Sequence, residues 1–200
     1  MRIVRILSFV FDYHFFQRIN SLISWLVTFS VNRKLRKSEG VSKFTYPSII
    51  QGEENIEIGK NFQAGKGFRI QAIRQYKSQT FNPKITFGDN VIINPNCQIV
   101  SINKISLGNN VLIASNVFIS DHSHGMSDFT DINIGPADRL LESKGEINIG
   151  SSVWIGQNVS ILANVSIGNN VIIGANSVVT KDIPSNCVVV GSPARIIKTI

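Results

Sequence analysis

Two of the chain's three histidines, His122 and His124, stand one residue apart in Asp121-His122-Ser123-His124-Gly125. A neutral imidazole can take a hydroxyl proton while the oxygen attacks an electrophilic carbon, and a carboxylate such as Asp121 can orient the ring and set its tautomer. The His-x-His spacing could also hold a metal. However, the third histidine, His14, lies far off between Tyr13 and Phe15 in an apolar segment, so no metal is expected. Plain polar loop residues are the remaining reading. The two cysteines, Cys97 and Cys187, share no short spacing and have no Cys or His cluster beside them, which argues against a disulfide framework or zinc finger and fits a reducing compartment. Cys97 reads as a core residue rather than a nucleophile.

The histidines open residues 120–146, the longest interruption in a pattern that dominates the rest of the chain. Long loops on rigid scaffolds are where binding and catalysis concentrate. The scaffold shows itself downstream, where Ile149, Ile155, Ile161, Ile167, Ile173 and Val179 recur every six residues. Position two of each hexad is Gly150, Gly156, Gly168 and Gly174, with Leu162 the exception. Position four is Asn158, Asn164, Asn170 and Asn176, and position five is Val153, Val159, Val165, Val171 and then Ser177. A six-residue period fits neither an α-helix nor a simple alternating strand. Asn and Gly tolerate left-handed backbone angles, so short flat strands joined by sharp corners are expected, coiling rather than zigzagging. With three segments per turn, residues eighteen apart stack at the strand spacing of roughly 4.8 Å. Each buried Ile or Val then contributes on the order of 1.5–3 kcal/mol before entropy.

The same register occurs upstream, at Ile58-Gly59, Ala64-Gly65 and Ile70, at Phe87-Gly88 and Ile93-Asn94, and at Leu107-Gly108, Ile113-Ala114 and Ile119. Breaks between Ile70 and Phe87, and between Ile99 and Leu107, predict small protruding loops.

Residues 1–40 form a separate unit. They are rich in Ile, Leu, Val and Phe, and they hold seven basic residues (Arg2, Arg5, Arg18, Arg33, Lys34, Arg36, Lys37) against Asp12 and Glu39, 7 − 2 = +5 of the chain's net +7. One or two amphipathic helices are expected there. The charge-free stretch from Ile19 to Asn32 is fourteen residues, short of the roughly twenty that span a bilayer. Asp12 and the lack of a small-residue cleavage site argue against a signal peptide, so a cytoplasmic location is expected. Two fates remain open: packing on the main domain or a neighbouring subunit, or lying on the anionic inner-membrane surface. The repeats carry no basic stripe with interleaved aromatics, so nucleic acid is not an expected partner. At 200 residues and 43% hydrophobic content, the remainder can bury a core of its own.

These hexads resemble those of the hexapeptide-repeat acyltransferases, a likeness that covers residues from about 50 to 200. It implies an all-β fold: a left-handed parallel β-helix with triangular coils, preceded here by the N-terminal helical segment and bearing the protruding loop. That handedness runs against the usual crossover rule and is taken from the resemblance. The stretches Asp121 to Gly125 and Arg139 to Gly156 resemble the active-site segments of bacterial sugar and polysaccharide O-acetyltransferases. By that likeness His122 is the general base, with His124 as second candidate or substrate contact, Asp121 the orienting group and Arg139 an acceptor contact. The end of the chain, from Gly174 to Lys198, resembles the coenzyme-A-binding end of those enzymes. The resemblance implies a homotrimer with acetyl-CoA lying between neighbouring coils, along Gly156, Ala175, Thr180 and Lys181, with Arg195 near the nucleotide. Lys181 and Arg195 suit phosphate, and Trp154, at an outward position six, would wall the pocket. Gly65 stands where small-sugar acetyltransferases have Asn, and the N-terminal segment differs from theirs, which shifts the expected acceptor toward a surface-polysaccharide or lipid-linked sugar. Another acceptor, such as serine or an amino sugar, and a catalytically silent scaffold are the alternatives, since one fold serves several functions.

Overall fold

A computed structural model describes residues 13–40, 42–125 and 132–199. The segment ahead of residue 13 and loop residues 126–131, both parts of the expected units, lie outside the described residues.

The chain coils as expected into three flat parallel sheets, a left-handed β-helix of triangular section. One face stacks Lys37–Ser38, Ile56–Ile58, Lys84–Phe87, Lys104–Leu107, Ile147–Ile149 and Val165–Ile167. The second runs from Lys43–Phe44 through Leu112–Ile113, Trp154–Ile155 and Ile172–Ile173 to the end of the chain. The third runs from Ile49–Gln51 through Arg69–Ala72, Gln98–Ser101, Phe118–Ser120 and Ser160–Ile161 to Val178–Val179. In the regular part the partners are those that the hexads predict: Ile149 on Ile167, Ile155 on Ile173 and Ile161 on Val179. Positions one and five both point inward, and Ile155, Val159, Ile161, Val171 and Ile173 have no exposed surface.

Corners are turned by asparagine. Asn158, Asn164, Asn170 and Asn176 adopt φ of 55 to 62°, as do Asn90, Asn110 and Asn116 upstream at 56 to 61°. Asn pays less than other non-glycine residues for this left-handed conformation because its short side chain bonds locally. Here those side chains also bond one another between coils: Asn116 Nδ2 donates to Asn158 Oδ1 at 3.1 Å, and Asn158 Nδ2 to Asn176 Oδ1 at 3.0 Å.

Both ends of the stack are covered. At the first coils Phe44, Phe62, Phe68 and Phe87 fill the section, with Phe62 and Phe87 centroids 4.9 Å apart. The helix Tyr13–Asn32 lies over them through Ser24, Val27, Thr28 and Val31. Thr28 Oγ1 accepts from Phe44 N at 2.9 Å, and Asn32 Nδ2 donates to Ser42 O. At the far end Arg195–Thr199 folds back antiparallel on Cys187–Val190, closing an edge that would otherwise offer unpaired backbone. Among the described residues no helix is long and apolar enough to cross a membrane.

Candidate active site

The breaks in the six-residue pattern between Ile70 and Ile149 all fall at one corner, where the third face passes to the first. The break after Ile70 is a hairpin, Gln75–Tyr76 with Gln79–Thr80. One coil on, Ser101 and Lys104 are joined by Ile102 and Asn103 alone. On the next coil the chain leaves after Ser120 and returns at Ile147, and this insertion makes Ile119 stack on Ile161, forty-two residues away.

Asp121 begins that insertion and is wholly buried. Its carboxylate faces the tight corner beneath it: Oδ2 accepts from Ser101 Oγ at 2.5 Å and from Asn103 N at 3.0 Å, and Oδ1 from Ile102 N at 3.0 Å. Hydrogen bonds to an ionised acceptor are the strong class and fix the carboxylate in place. The remaining contact of Oδ1 is His122 Nδ1 at 3.1 Å. Given Nδ1–H to Asp121, Nε2 is left as the ring's proton acceptor, the arrangement a general base needs. The His122 side chain is 10% exposed, so the ring is held largely within protein. Ser120 Oγ lies 3.4 Å from the same Nδ1 and also donates to the His122 carbonyl at 3.0 Å.

His124 is placed differently. It sits exposed on a short ladder, Ser123–His124 with Leu141–Glu142, and among the described residues no carboxylate pairs with it. Its Nδ1 is 3.4 Å from Tyr76 Oη, and the two rings meet edge to face at 5.5 Å. Tyr76 belongs to the lower hairpin, which clasps the loop at several points. Tyr76 Oη donates to Ala137 O at 3.1 Å, Lys77 Nζ to Ala137 O and Asp138 Oδ1 at 2.8 and 2.9 Å, and Gln79 exchanges two bonds with the Leu141 backbone. The Lys77 ammonium holds the Asp138 carboxyl below its ordinary range. Sequence reasoning does not single out Ser101, Tyr76 or Gln79; the breaks after Ile70, for Tyr76 and Gln79, and after Ile99, for Ser101, mark only that loops leave the coil there. Arg139, read as an acceptor contact, sends Nε to Ile134 O at 3.0 Å within its own loop.

The expected cofactor residues fall into separate groups. Gly156 and Ala175 lie on successive coils, Gly156 stacked on Gly174, and a Cβ on Gly156 would come within 2.7 Å of Ala175 N and Ile173 O, so the backbones approach closely there. Lys181 and Arg195 line one groove at the end of the stack with Asp182, Val189 and Ala194. Thr180 and Lys181 line another beside Glu146 and Asn148 on the first face. Trp154, half exposed at 51%, is on the second face, between Leu112 and Ile172. That face lies opposite the corner carrying His122, so Trp154 and His122 of one chain do not border a common pocket.

Neither cysteine is placed as a nucleophile. Cys97 is buried, donates Sγ to Ala114 O at 3.0 Å, and has its thiol pKa pushed up by desolvation, the reverse of an activated nucleophile. Cys187 is buried with the same direction of shift. Among the described residues no three His, Cys, Asp or Glu side chains gather as a metal site.

Comparison with known proteins agrees with this architecture. Residues 146–181 match the bacterial transferase hexapeptide family (six repeats). Over 157 residues, 76% of each chain, the sequence is 43% identical to the "Putative lipopolysaccharide biosynthesis O-acetyl transferase WbbJ" of Escherichia coli. Among solved structures, a maltose O-acetyltransferase from Clostridium difficile is 34% identical with a TM-score of 0.55, over 76% of this chain and 69% of that one. A galactoside acetyltransferase in complex with coenzyme A is 29% identical with a TM-score of 0.53, over 85% and 68%.

Proposed function

We propose that this chain, which belongs to the hexapeptide-repeat acyltransferases, moves acetyl from acetyl-CoA directly onto a sugar hydroxyl of a surface-polysaccharide precursor, with His122 as the base. The observation that carries the reading is the buried Asp121 carboxylate holding His122 Nδ1 at 3.1 Å and leaving Nε2 free to accept a proton. The names of the relatives supply the rest: acetyl donors with sugar acceptors, one of them tied to lipopolysaccharide biosynthesis.

In this mechanism the acceptor oxygen attacks the thioester carbonyl carbon as Nε2 takes the hydroxyl proton. The C–O bond forms, and negative charge moves to the carbonyl oxygen. Collapse of the tetrahedral adduct breaks the C–S bond, and the imidazolium returns its proton to the departing thiolate. Acetyl ester and free coenzyme A leave, and no acyl-enzyme is needed. Asp121 stabilises the imidazolium without itself being protonated. His124 then serves as an acceptor contact, its ring set by Tyr76.

Since Trp154, Gly156 and Ala175 stand away from the His122 corner, the complete site in this reading lies between copies of the chain, as in a homotrimer. The coenzyme A phosphates would meet Lys181 and Arg195, whose charges suit them.

The test is release of free thiol from acetyl-CoA with a panel of sugars and lipid-linked repeat-unit mimics, beside serine and amino-sugar acceptors. Sugar-dependent release supports the reading. Release with serine or an amine alone would reassign the acceptor, and the absence of both turnover and thermal stabilisation by coenzyme A would favour a silent scaffold.

A further inference from the structure

The helix Tyr13–Asn32 turns a mixed side to the coil and an apolar side away from it. Ser24, Val27, Thr28 and Val31 face the coil, whereas Ile19, Leu22, Trp25, Leu26 and Phe29, at the alternate three- and four-residue steps, face away from it. Leu22, Trp25, Leu26 and Phe29 are 52 to 62% exposed, and the Trp25 and Phe29 rings stack at 6.1 Å. A contiguous apolar stripe of this kind marks an interaction surface.

What surrounds the stripe identifies its occupant. Arg18 stands one helical turn before Leu22, and Arg33 shares a groove with Phe29. Lys43 and Lys66 line the groove that Trp25 borders on the other side. Among the described residues none of these four cations has an ion-pair partner, and the helix itself contains no Asp or Glu. Self-pairing of this face would set cation against cation. A plane that is apolar below and anionic above satisfies both features, because Trp, Phe and Leu can enter the acyl boundary while Arg and Lys reach the headgroups.

We infer that the outward face of this helix docks the enzyme on an anionic lipid bilayer, lying in the interface without crossing it. Docking is separate from acetyl transfer and is read without turnover.

Flotation of the full chain with phosphatidylcholine vesicles containing phosphatidylglycerol, against phosphatidylcholine alone, tests it. Preferential binding to the anionic vesicles is expected. It should weaken by about tenfold or more in Arg18→Glu/Arg33→Glu and in Leu22→Ser/Trp25→Ser/Leu26→Ser/Phe29→Ser. Sedimentation in solution should be unchanged in both variants, with circular dichroism confirming the fold. Equal flotation with both vesicle types, or undiminished binding by folded variants, overturns the inference. A fall in oligomeric state in the serine variant would give the face to a second copy instead.

Discussion

The regular coils from Ile147 onward and the corner that bears His122 are made of the same backbone but held by different forces. In the coils one side-chain set repeats, each Ile or Val stacking on its counterpart in the next turn, so stability is spread over many equivalent contacts. The corner has little of this. The tight turn beneath it, the clasp from the hairpin and the orientation of His122 are polar contacts, each made once. The lesson is a division of labour in which redundant apolar stacking supplies rigidity and unrepeated polar contacts hold His122 in the orientation that the proposed chemistry needs.

That division can be broken experimentally. The largest effect is expected for His122→Ala: turnover with acetyl-CoA and the preferred acceptor should fall by about 10²–10⁴, roughly 3–5 kcal/mol of transition-state stabilisation, with the melting temperature unchanged. Turnover close to wild type would remove His122 from the base role. Ile161→Ala is the reverse experiment. It empties a fully buried position of the stack and should lose about 2–5 kcal/mol in denaturant unfolding, while the protein that remains folded keeps its turnover.

Asp121 belongs to both regions, and Asp121→Asn sharpens the comparison. Bonds to a charged acceptor contribute about 1.5–3 kcal/mol, so turnover should fall by about 10–100-fold and the protein should also melt earlier, because Ile102 N and Asn103 N lose a charged acceptor. Lost stability with intact turnover would make Asp121 part of the scaffold alone.

The smallest effect should come from acid at the Lys77–Asp138 clasp. The Asp138 pKa is lowered in the folded protein, so its contribution is fully present above the ordinary carboxylate range and fades as pH falls through the depressed value. Amide hydrogen exchange around residues 134–141, corrected for intrinsic rates, should speed up over that acid window. Lys77→Ala should abolish the change, and a persistent change would place its origin elsewhere.

The same division explains what could be read from the residues. The six-residue recurrence is a collective signal, so the faces, the inward positions and the asparagine corners were all legible before any coordinate. Residues 120–146 were legible as an interruption, and Asp121 and His122 as neighbours within it, which the structure brings into contact. Ser101 was not, because a serine that supports a carboxylate twenty residues away leaves no local pattern. Tyr76 and Gln79 were equally silent, since the hairpin reaches the loop across some sixty residues of chain. Trp154 was read correctly as outward-facing, but its separation from the histidines depends on how the coils close, which six-residue spacing does not reveal.

Because the hairpin, the tight turn and the long loop all leave the coil at the same corner, added length there does not disturb the stacking of the three faces. The corner acts as an expansion joint: segments can be lengthened, shortened or exchanged while Asp121 stays anchored to the turn below. A designer wishing to vary the surface of this scaffold could therefore graft hairpins between residues 73 and 82 as interchangeable cassettes, leaving the Asp121–His122 contact and the repeating body untouched.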